Sequence, residues 1–116
     1  MQSYKDLLVW KKSMAVVELV YHVSQKFPSD ERFGLVSQMR RAAVSVPSNI
    51  AEGRKRSTRR DFRQFIILAY GSASELETQL EIALRLRFIS DPDYFIVSKN
   101  LVSVLKMLNR LISALS

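Results

Sequence analysis

The residues best suited to chemistry form a basic run between positions 54 and 63. Six of these ten residues are cations and one is acidic. We call the six cations the basic rim: Arg54, Lys55, Arg56, Arg59, Arg60 and Arg63. The planar guanidinium group of arginine donates paired hydrogen bonds to phosphate, whereas lysine contributes a point charge. The run therefore predicts contact with a polyanion, and nucleic acid is the leading candidate.

The placement of the net charge supports this prediction. The chain has 18 Lys and Arg residues against 11 Asp and Glu residues, a net charge of +7. Residues 32–63 contain nine cations and two acids, so this segment accounts for the whole excess. A directed positive field favours a polyanionic partner such as RNA or DNA. In addition, Arg59, Arg60 and Arg63 are predicted at a helix N-terminus, where cations oppose the helix dipole, so local stability does not favour this placement.

Two other interpretations of the basic rim stay open. The rim can be a solvated helix end whose charge serves only solubility. It can also dock an acidic protein such as a reverse transcriptase, in which case the chain is an oligomeric protein-interaction scaffold. Phosphate contacts alone bring strong salt dependence and little sequence specificity, and no residue pattern indicates that bases are read.

The sequence offers few groups for catalysis or metal binding. It has no cysteine and one histidine, His22. Glu52, Glu75, Glu77 and Glu81 lack the Glu-x-x-His spacing that di-metal sites in helical bundles use. No glycine-rich phosphate loop or nucleophile motif is present in the sequence. We expect a protein without enzymatic activity, metal or cofactor.

Length and composition predict one domain spanning residues 1–116. The chain is 47% hydrophobic and 25% charged, and its three Gly and three Pro residues favour long helices over a turn-rich sheet. The longest apolar run, from Phe65 to Tyr70, is much shorter than the roughly 18 residues of a membrane span, and the N-terminal residues carry no apolar signal segment. We expect a cytoplasmic protein without a membrane partner.

The spacing of apolar residues predicts four helices separated by short turns. The segments run from about Asp6 to Lys26, from about Arg32 to Glu52, from Ser57 or Thr58 to about Phe88, and from about Pro92 to the C-terminus. The inward candidates of the second segment are Leu35, Met39, Ala42, Ala43, Val46 and Ile50. Four amphipathic helices with short joints predict an all-α, antiparallel up-down-up-down four-helix bundle.

Individual residues predict where these helices start, bend and stop. Candidate N-caps are Asp6 for the first helix, Ser57 or Thr58 for the third, and Asp91 for the fourth. Asp61 lies three residues after Thr58, as in a capping box. Pro47 predicts a kink or a break in the second helix because proline removes an amide donor. Gly53 predicts a C-terminal stop for the same helix.

The first and third segments carry more apolar residues than one face of a helix can hold. One face of the first segment holds Leu7, Trp10, Met14, Val17 and Tyr21, and the opposite face holds Val9, Val16, Val20 and Val23. In the third segment, Ile67, Leu68 and Tyr70 lie outside the main apolar stripe. Because a helix in a monomer normally hides one stripe, we expect self-association.

Specific residues resemble a known family. The motifs are Asp6-Leu7-x-Val9-Trp10, Phe27-Pro28-x-x-Glu31-x-Phe33-Gly34-Leu35-x-x-Gln38-x-Arg40-Arg41-Ala42-x-x-Ser45-x-Pro47-x-Asn49-Ile50-Ala51-Glu52-Gly53, Phe62-x-x-Phe65 and Ala69-x-Gly71-Ser72-x-x-Glu75-Leu76. Over roughly residues 4–90, the chain resembles the bacterial four-helix-bundle proteins encoded within intervening sequences of 23S ribosomal RNA genes. It departs at Leu86-Arg87-Phe88, where the family often has a glycine near the end of the third helix.

The resemblance implies a bundle that assembles as a ring-shaped homopentamer. It also implies nucleic-acid binding, by kinship to the accessory proteins of diversity-generating retroelements that share the fold. The signature positions carried over by the resemblance are Gln38, Arg40, Arg41, Ser45, Asn49, Glu52, Gly53, Gly71, Ser72 and Glu75. Many of them are expected to serve packing or subunit contacts. Arg40 and Arg41 are expected to join Gln38, Ser45 and Asn49 either in a polar cluster inside an assembly or on a wet face.

Overall fold

The helical periodicity of the sequence becomes four long α-helices. In the computed structural model, which describes residues 3–116, these are α1 (Leu8–Ser24), α2 (Leu35–Arg54), α3 (Arg59–Arg85) and α4 (Asp91–Ala114). Short 3₁₀ turns precede α1 at Tyr4–Asp6 and α2 at Ser29–Glu31. Residues 3–116 contain no strand, so the all-α prediction is confirmed. The first two residues of the predicted domain and N-terminal segment, Met1 and Gln2, lie outside the described residues.

Contacts between helix ends show that successive helices run antiparallel. Just after α1, the Lys26 ammonium lies 3.1 Å from the carboxylate of Asp93 at the start of α4. At the opposite end of the molecule, the Lys55 ammonium at the end of α2 lies 5.2 Å from the ring centre of Tyr4, before α1. Each helix packs against its neighbours in sequence, and α1 closes the bundle against α4. The arrangement is an up-down-up-down bundle about 43 Å long.

The core is a continuous cluster of small and aliphatic side chains from all four helices. The inward residues predicted for α2 are all buried: Leu35, Met39, Ala42, Ala43, Val46 and Ile50. In α1 the core takes the valine face: Val9, Val16, Val20 and Val23. On the opposite face, Met14 and Tyr21 are exposed, while Trp10 is half-buried and packs against the core. The core of one chain therefore covers the second apolar face of α1 only in part, and Met14 and Tyr21 stay exposed.

Thr58 caps α3 as predicted, but Asp6 does not cap α1. The Thr58 hydroxyl accepts a hydrogen bond from the backbone N–H of Asp61 at 3.1 Å. Asp6 ends the preceding 3₁₀ turn, because its N–H donates to the carbonyl of Ser3. Leu7 occupies the cap position of α1, without a side-chain cap bond. The prediction for Asp6 is therefore wrong.

The predicted cap of α4 is also displaced by one residue. The hydroxyl of Ser90 accepts a hydrogen bond from the N–H of Asp93 at 3.2 Å. Asp91 is the first residue of α4, followed by Pro92, which needs no amide acceptor in the first turn. In that position Asp91 does not cap α4. Its negative charge interacts favourably with the positive end of the helix dipole.

Pro47 does not break α2. The helix is continuous from Leu35 to Arg54, although a proline in a helix interior costs about 3 kcal/mol. The adjacent residues Val46 and Ile50 are almost fully buried. Burial of this apolar face on both sides of the proline offsets the missing hydrogen bond. The predicted break is therefore wrong, and the alternative, a kink within a continuous helix, stays a prediction.

Gly53 lies within α2 and does not stop it. A β-carbon at this position would lie 2.6 Å from the β-carbon of Phe65 and 3.0 Å from Cδ1 of Phe62, both on α3. The glycine is therefore required by the close approach of two helices rather than by a helix terminus. The predicted stop is wrong, because α2 continues through Gly53 to Arg54. The residues around Gly53 do not reveal its contact with Phe65, which lies on another helix.

Arg87 takes the left-handed backbone position that ends α3. Its φ angle is 61°. The N–H of Phe88 donates to the carbonyl of Ala83 at 2.9 Å, and the N–H of Arg87 donates to Leu84 at 3.0 Å. This pair of bonds usually ends a helix at a glycine. The resembling family often has a glycine near this point, where this chain has Leu86-Arg87-Phe88. A non-glycine residue in this conformation costs about 1–2 kcal/mol of backbone strain.

The contrast between Gly53 and Gly71 gives a prediction for stability. We expect Gly53→Ala to lower the free energy of unfolding by about 1–3 kcal/mol, because the added methyl group overpacks the contact with Phe65. Gly71→Ala is the matched control, since its β-carbon would meet nothing within 4 Å. It should stabilise the helix by about 0.5–1 kcal/mol. Urea unfolding of both variants measures the difference, and equal effects of the two substitutions would contradict the packing role of Gly53.

Candidate nucleic-acid interface

The structure brings the six residues of the basic rim together at one end of the bundle. Arg54 is the last residue of α2, and Lys55 and Arg56 lie in the joint that follows. The remaining three are in the first turns of α3, which starts at Arg59. Lys55, Arg56, Arg59 and Arg60 are exposed, whereas Arg54 and Arg63 are half-buried. The six residues therefore lie together at one end of the bundle.

Two rim arginines hold the C-terminal end of α4. Nε of Arg59 donates to the carbonyl of Leu115 at 3.3 Å, and its Nη2 donates to the carbonyl of Ala114. Nε of Arg63 donates to the carbonyl of Ile112 at 3.0 Å. The last carbonyls of a helix have no partner within it and form the negative end of its dipole. The prediction that helix stability disfavours cations at these positions is therefore wrong for Arg59 and Arg63. It took account of the dipole of α3 alone, whereas both side chains bond to the end of α4.

Three other rim cations lie over aromatic rings. The Arg54 guanidinium is 5.8 Å from the ring centre of Phe62, and the Arg56 guanidinium is 4.8 Å from that of Phe65. Lys55 lies over the ring of Tyr4. Such contacts favour a cation by about 0.5–1 kcal/mol at exposed sites. Phe62 is half-buried against the core, so the rings support the cations rather than offering open stacking platforms.

The rim keeps most of its positive charge. Within residues 3–116, the ion pair between Arg56 and Glu52, at 3.0 Å, is the one contact between a rim cation and a carboxylate. Arg59 and Arg63 donate to neutral carbonyls, which orient the guanidinium groups without cancelling their charge. The Arg60 side chain is exposed and has no hydrogen-bond or ion-pair partner in the described part of the chain.

The antiparallel topology adds further cations to this end. One half of the bundle comprises residues 3–16, 45–72 and 103–116, and it contains eleven Lys and Arg residues against three acids. The other half contains seven cations and eight acids. We call these the basic half and the near-neutral half. Cations distant in sequence from the rim, such as Lys5, Lys12 and Arg110, belong to the basic half. Sequence order alone did not show this grouping.

A second polar cluster joins α2 and α3 away from the rim. Oγ of Ser72 donates to Oγ of Ser45 at 2.9 Å, and the Asn49 amide donates to both oxygens of Ser45. A cavity of about 360 Å³ lies beside this pair, and its lining includes Gln38, Arg41, Ser45, Ser72 and Glu75. Most of the polar signature positions therefore do come together, as part of the α2–α3 interface.

Arg40 does not belong to this cluster. Its Nε donates to Oγ of Ser24 at 2.9 Å, and its Nη2 donates to the carbonyl of Tyr21 at 3.3 Å. The guanidinium also lies 4.5 Å from the ring centre of Tyr21. Arg40 thus fixes the C-terminal end of α1 against α2. This is the same kind of contact that Arg59 and Arg63 make with α4.

Three of the four candidate carboxylates, those of Glu52, Glu75 and Glu81, have separate structural partners. Glu75 accepts a hydrogen bond from the buried amide of Gln79 at 3.3 Å, a residue that the apolar pattern did not identify. Glu81 accepts from Arg85 and Tyr94, and the bond from Arg85 lowers the pKa of Glu81. Among residues 3–116, no group of three or more His, Asp or Glu side chains is placed to hold a metal ion. Over the same range, no helix combines the length and the apolar character needed to cross a membrane.

The fold and the rim define the class of this protein: an all-α four-helix bundle whose cations are concentrated at one end. The family model described as "23S rRNA-intervening sequence protein" matches residues 5–110. The chain therefore belongs to the family of 23S rRNA-intervening sequence proteins, and the resemblance seen in the sequence motifs is confirmed.

A solved structure has the same fold. It is a crystal structure of a protein with unknown function from the S23 ribosomal protein family of Bacteroides thetaiotaomicron VPI-5482. The two chains are 24% identical and superpose with a TM-score of 0.84, and the match covers 90% of this chain and 98% of the other. At this level of identity the likeness establishes the fold alone. A comparison with curated proteins finds no match.

The contact between α3 and α4 gives a prediction for local stability. Replacing Arg63 by Met keeps the apolar stem but removes the bond to the carbonyl of Ile112. We expect Arg63→Met to lower stability by about 1 kcal/mol. Hydrogen exchange of amides in residues 110–115 should become faster. Arg60→Met, which removes the same charge from an unpaired residue, is the control, and the account fails if both variants change this exchange equally.

Proposed function

We propose that the protein is a cytoplasmic, non-enzymatic, self-associating protein that binds RNA or DNA through its basic rim. The observation that carries the proposal is the gathering of eleven cations and three acids in one half of the bundle. A surface of this kind attracts a polyanion over several ångströms and raises its rate of association. The family name, which refers to intervening sequences of 23S rRNA, agrees with a nucleic-acid partner.

The contacts of the rim suit phosphates rather than bases. Arg60 and Lys55 are exposed and can reach the backbone of a polyanion, while Arg59 and Arg63 are already ordered by α4. Ordered guanidinium groups lose less conformational freedom when they bind, which favours affinity. The rings that lie near the rim pack beneath cations. Binding should therefore depend strongly on salt and weakly on sequence.

Uncovered apolar surface supports self-association. A groove of about 280 Å³ lies between α1 and α2, and its lining includes Trp10, Met14, Val44 and Pro47. On α3, Leu68 is 55% exposed. We propose that a second copy covers these faces and that the assembly is a ring-shaped homopentamer. Repetition of the rim around a ring multiplies its contacts with one long nucleic acid and gives avidity that a single chain lacks.

Charge removal at the rim tests the binding proposal. We expect Lys55→Gln/Arg60→Gln to weaken binding of a labelled 30-base-pair DNA duplex about tenfold at 100 mM salt. The slope of log K against log salt should fall by about 1.8, because two phosphate contacts are lost. The same measurement on an RNA duplex shows which nucleic acid the rim prefers.

The control carries the same charge change in the near-neutral half. Arg32→Gln/Lys99→Gln should leave the affinity within about twofold, since neither residue belongs to the basic half. Equal weakening by both double variants would mean that net charge alone determines binding. Undetectable duplex binding by the unaltered protein, together with capture of an acidic protein that depends on Lys55 and Arg60, would instead support an interaction scaffold.

Self-association has a separate measurement. Light scattering at micromolar concentration should give about five times the 13.4 kDa of one chain. Met14→Glu/Val44→Glu places two charges in the groove between α1 and α2 and should reduce the mass towards that of one chain, because burial of an unpaired carboxylate is costly. Phe95→Glu, an exposed apolar residue far from this groove, should leave the mass unchanged. A mass of 13.4 kDa for the unaltered protein would contradict the proposal.

A further inference from the structure

The basic rim contains a recess as well as an exposed surface. A cavity of about 280 Å³ lies at the joint between α2 and α3. Three arginines line it, Arg54, Arg56 and Arg59, together with the hydroxyl residues Ser57 and Thr58. The volume is close to the lower limit of roughly 300 Å³ for small-molecule sites, so the recess suits a compact anionic group.

One donor in this recess has no acceptor. The Nε atom of Arg54 is buried, and it has no hydrogen-bond partner within residues 3–116. The half-buried side chain has the ring of Phe62 on one side, at 5.8 Å. A buried N–H of a charged group that lacks an acceptor destabilises the state that contains it. An anion in the recess, which Arg54 lines, would supply the opposite charge that this guanidinium group lacks.

The start of α3 provides further donors at the same place. The hydroxyl of Thr58 already accepts from Asp61, and the carbonyl of Thr58 accepts from Phe62. The backbone N–H groups of Arg59 and Arg60 have no acceptor among the described residues. The first N–H groups of a helix, together with the positive end of its dipole, favour phosphate. Of these two residues, Arg59 also lines the recess.

We propose that this recess binds the terminal phosphate of a nucleic-acid strand, an inference that rests on the proposed function of the rim. A terminal phosphate monoester carries a charge of about −1.5 to −2 and three acceptor oxygens, whereas an internal phosphodiester carries one charge and is flanked by sugars on both sides. Only the terminal group can enter a recess while the strand continues over the open rim. Three guanidinium groups and the amide of Arg59 match its charge and its acceptors.

The existing contacts of the arginines leave donors for this ligand. Arg59 donates from Nε and Nη2 to carbonyls of α4, and a guanidinium group has five N–H donors, so three stay available. Arg56 shares part of its charge with Glu52. Arg54 has no carboxylate partner within residues 3–116 and is therefore the principal anchor.

Matched oligonucleotides test the proposal with the full-length protein. We use a 20-nucleotide single strand with a 5′-phosphate, with a 3′-phosphate, or with hydroxyl groups at both ends. One phosphorylated strand should bind about tenfold more tightly than the hydroxyl strand. The phosphorylated strand that binds more tightly, with its phosphate at the 5′ or the 3′ end, identifies which end the recess accepts. Arg54→Gln should abolish the preference, so that phosphorylated and hydroxyl strands bind equally, apart from the general weakening that the loss of one rim charge causes in all of them.

Arg60→Gln is the control outside the recess, and it should weaken all three strands by the same factor. Equal affinity of the unaltered protein for all strands, or a preference that survives Arg54→Gln, would overturn the terminal-phosphate proposal while leaving nucleic-acid binding intact. Inorganic phosphate tests the recess without a strand. It should shift the NMR signals of the Arg59 and Arg60 amides in the unaltered protein and not in Arg54→Gln, and the absence of such shifts would overturn the proposal even if strands bind.

Discussion

Repulsion between like charges is the constraint on which the rest of this structure depends. Six cations within ten residues repel each other, and the bundle holds them at one end through contacts that leave their charge in place. Carbonyls at the end of α4 accept from Arg59 and Arg63, and aromatic rings lie beneath Arg54, Lys55 and Arg56. One carboxylate, that of Glu52, pairs with the rim in the described chain. A rim built mainly on carboxylates would be neutral and could not attract a polyanion.

The same contacts connect the fold to the proposed function. The helix that carries half of the rim, α3, approaches α2 closely because Gly53 has no side chain against Phe65. This approach closes the joint in which the three arginines of the recess meet. At the other side of α3, Arg63 fixes the end of α4, which returns its own cations to the basic half. Packing and charge placement are therefore determined by the same residues.

The sequence predicts the elements of the fold well and their contacts poorly. Apolar spacing predicts four helices and the buried face of α2, because burial acts on a period that can be read along the chain. A cap at Ser57 or Thr58 is predicted for a different reason, because a capping bond joins a hydroxyl to an N–H about three residues later, and Thr58 makes this bond. The bonds from Arg59 and Arg63 to α4 join residues about fifty positions apart, and no local pattern encodes them. Gly53 was misread because a close contact between helices and a helix stop both require glycine.

Charge polarity along the bundle is the central claim, and its most direct measurement is the effect of charged paramagnetic probes on amide NMR relaxation. An anionic nitroxide should broaden the amides of residues 54–63 and 106–116 more than a cationic nitroxide of the same size does, because the local potential concentrates the anion. Residues 28–33 and 85–93, at the opposite end, should respond about equally to both probes. Equal responses at both ends of the bundle would show that the cations create no directed field and would contradict the account.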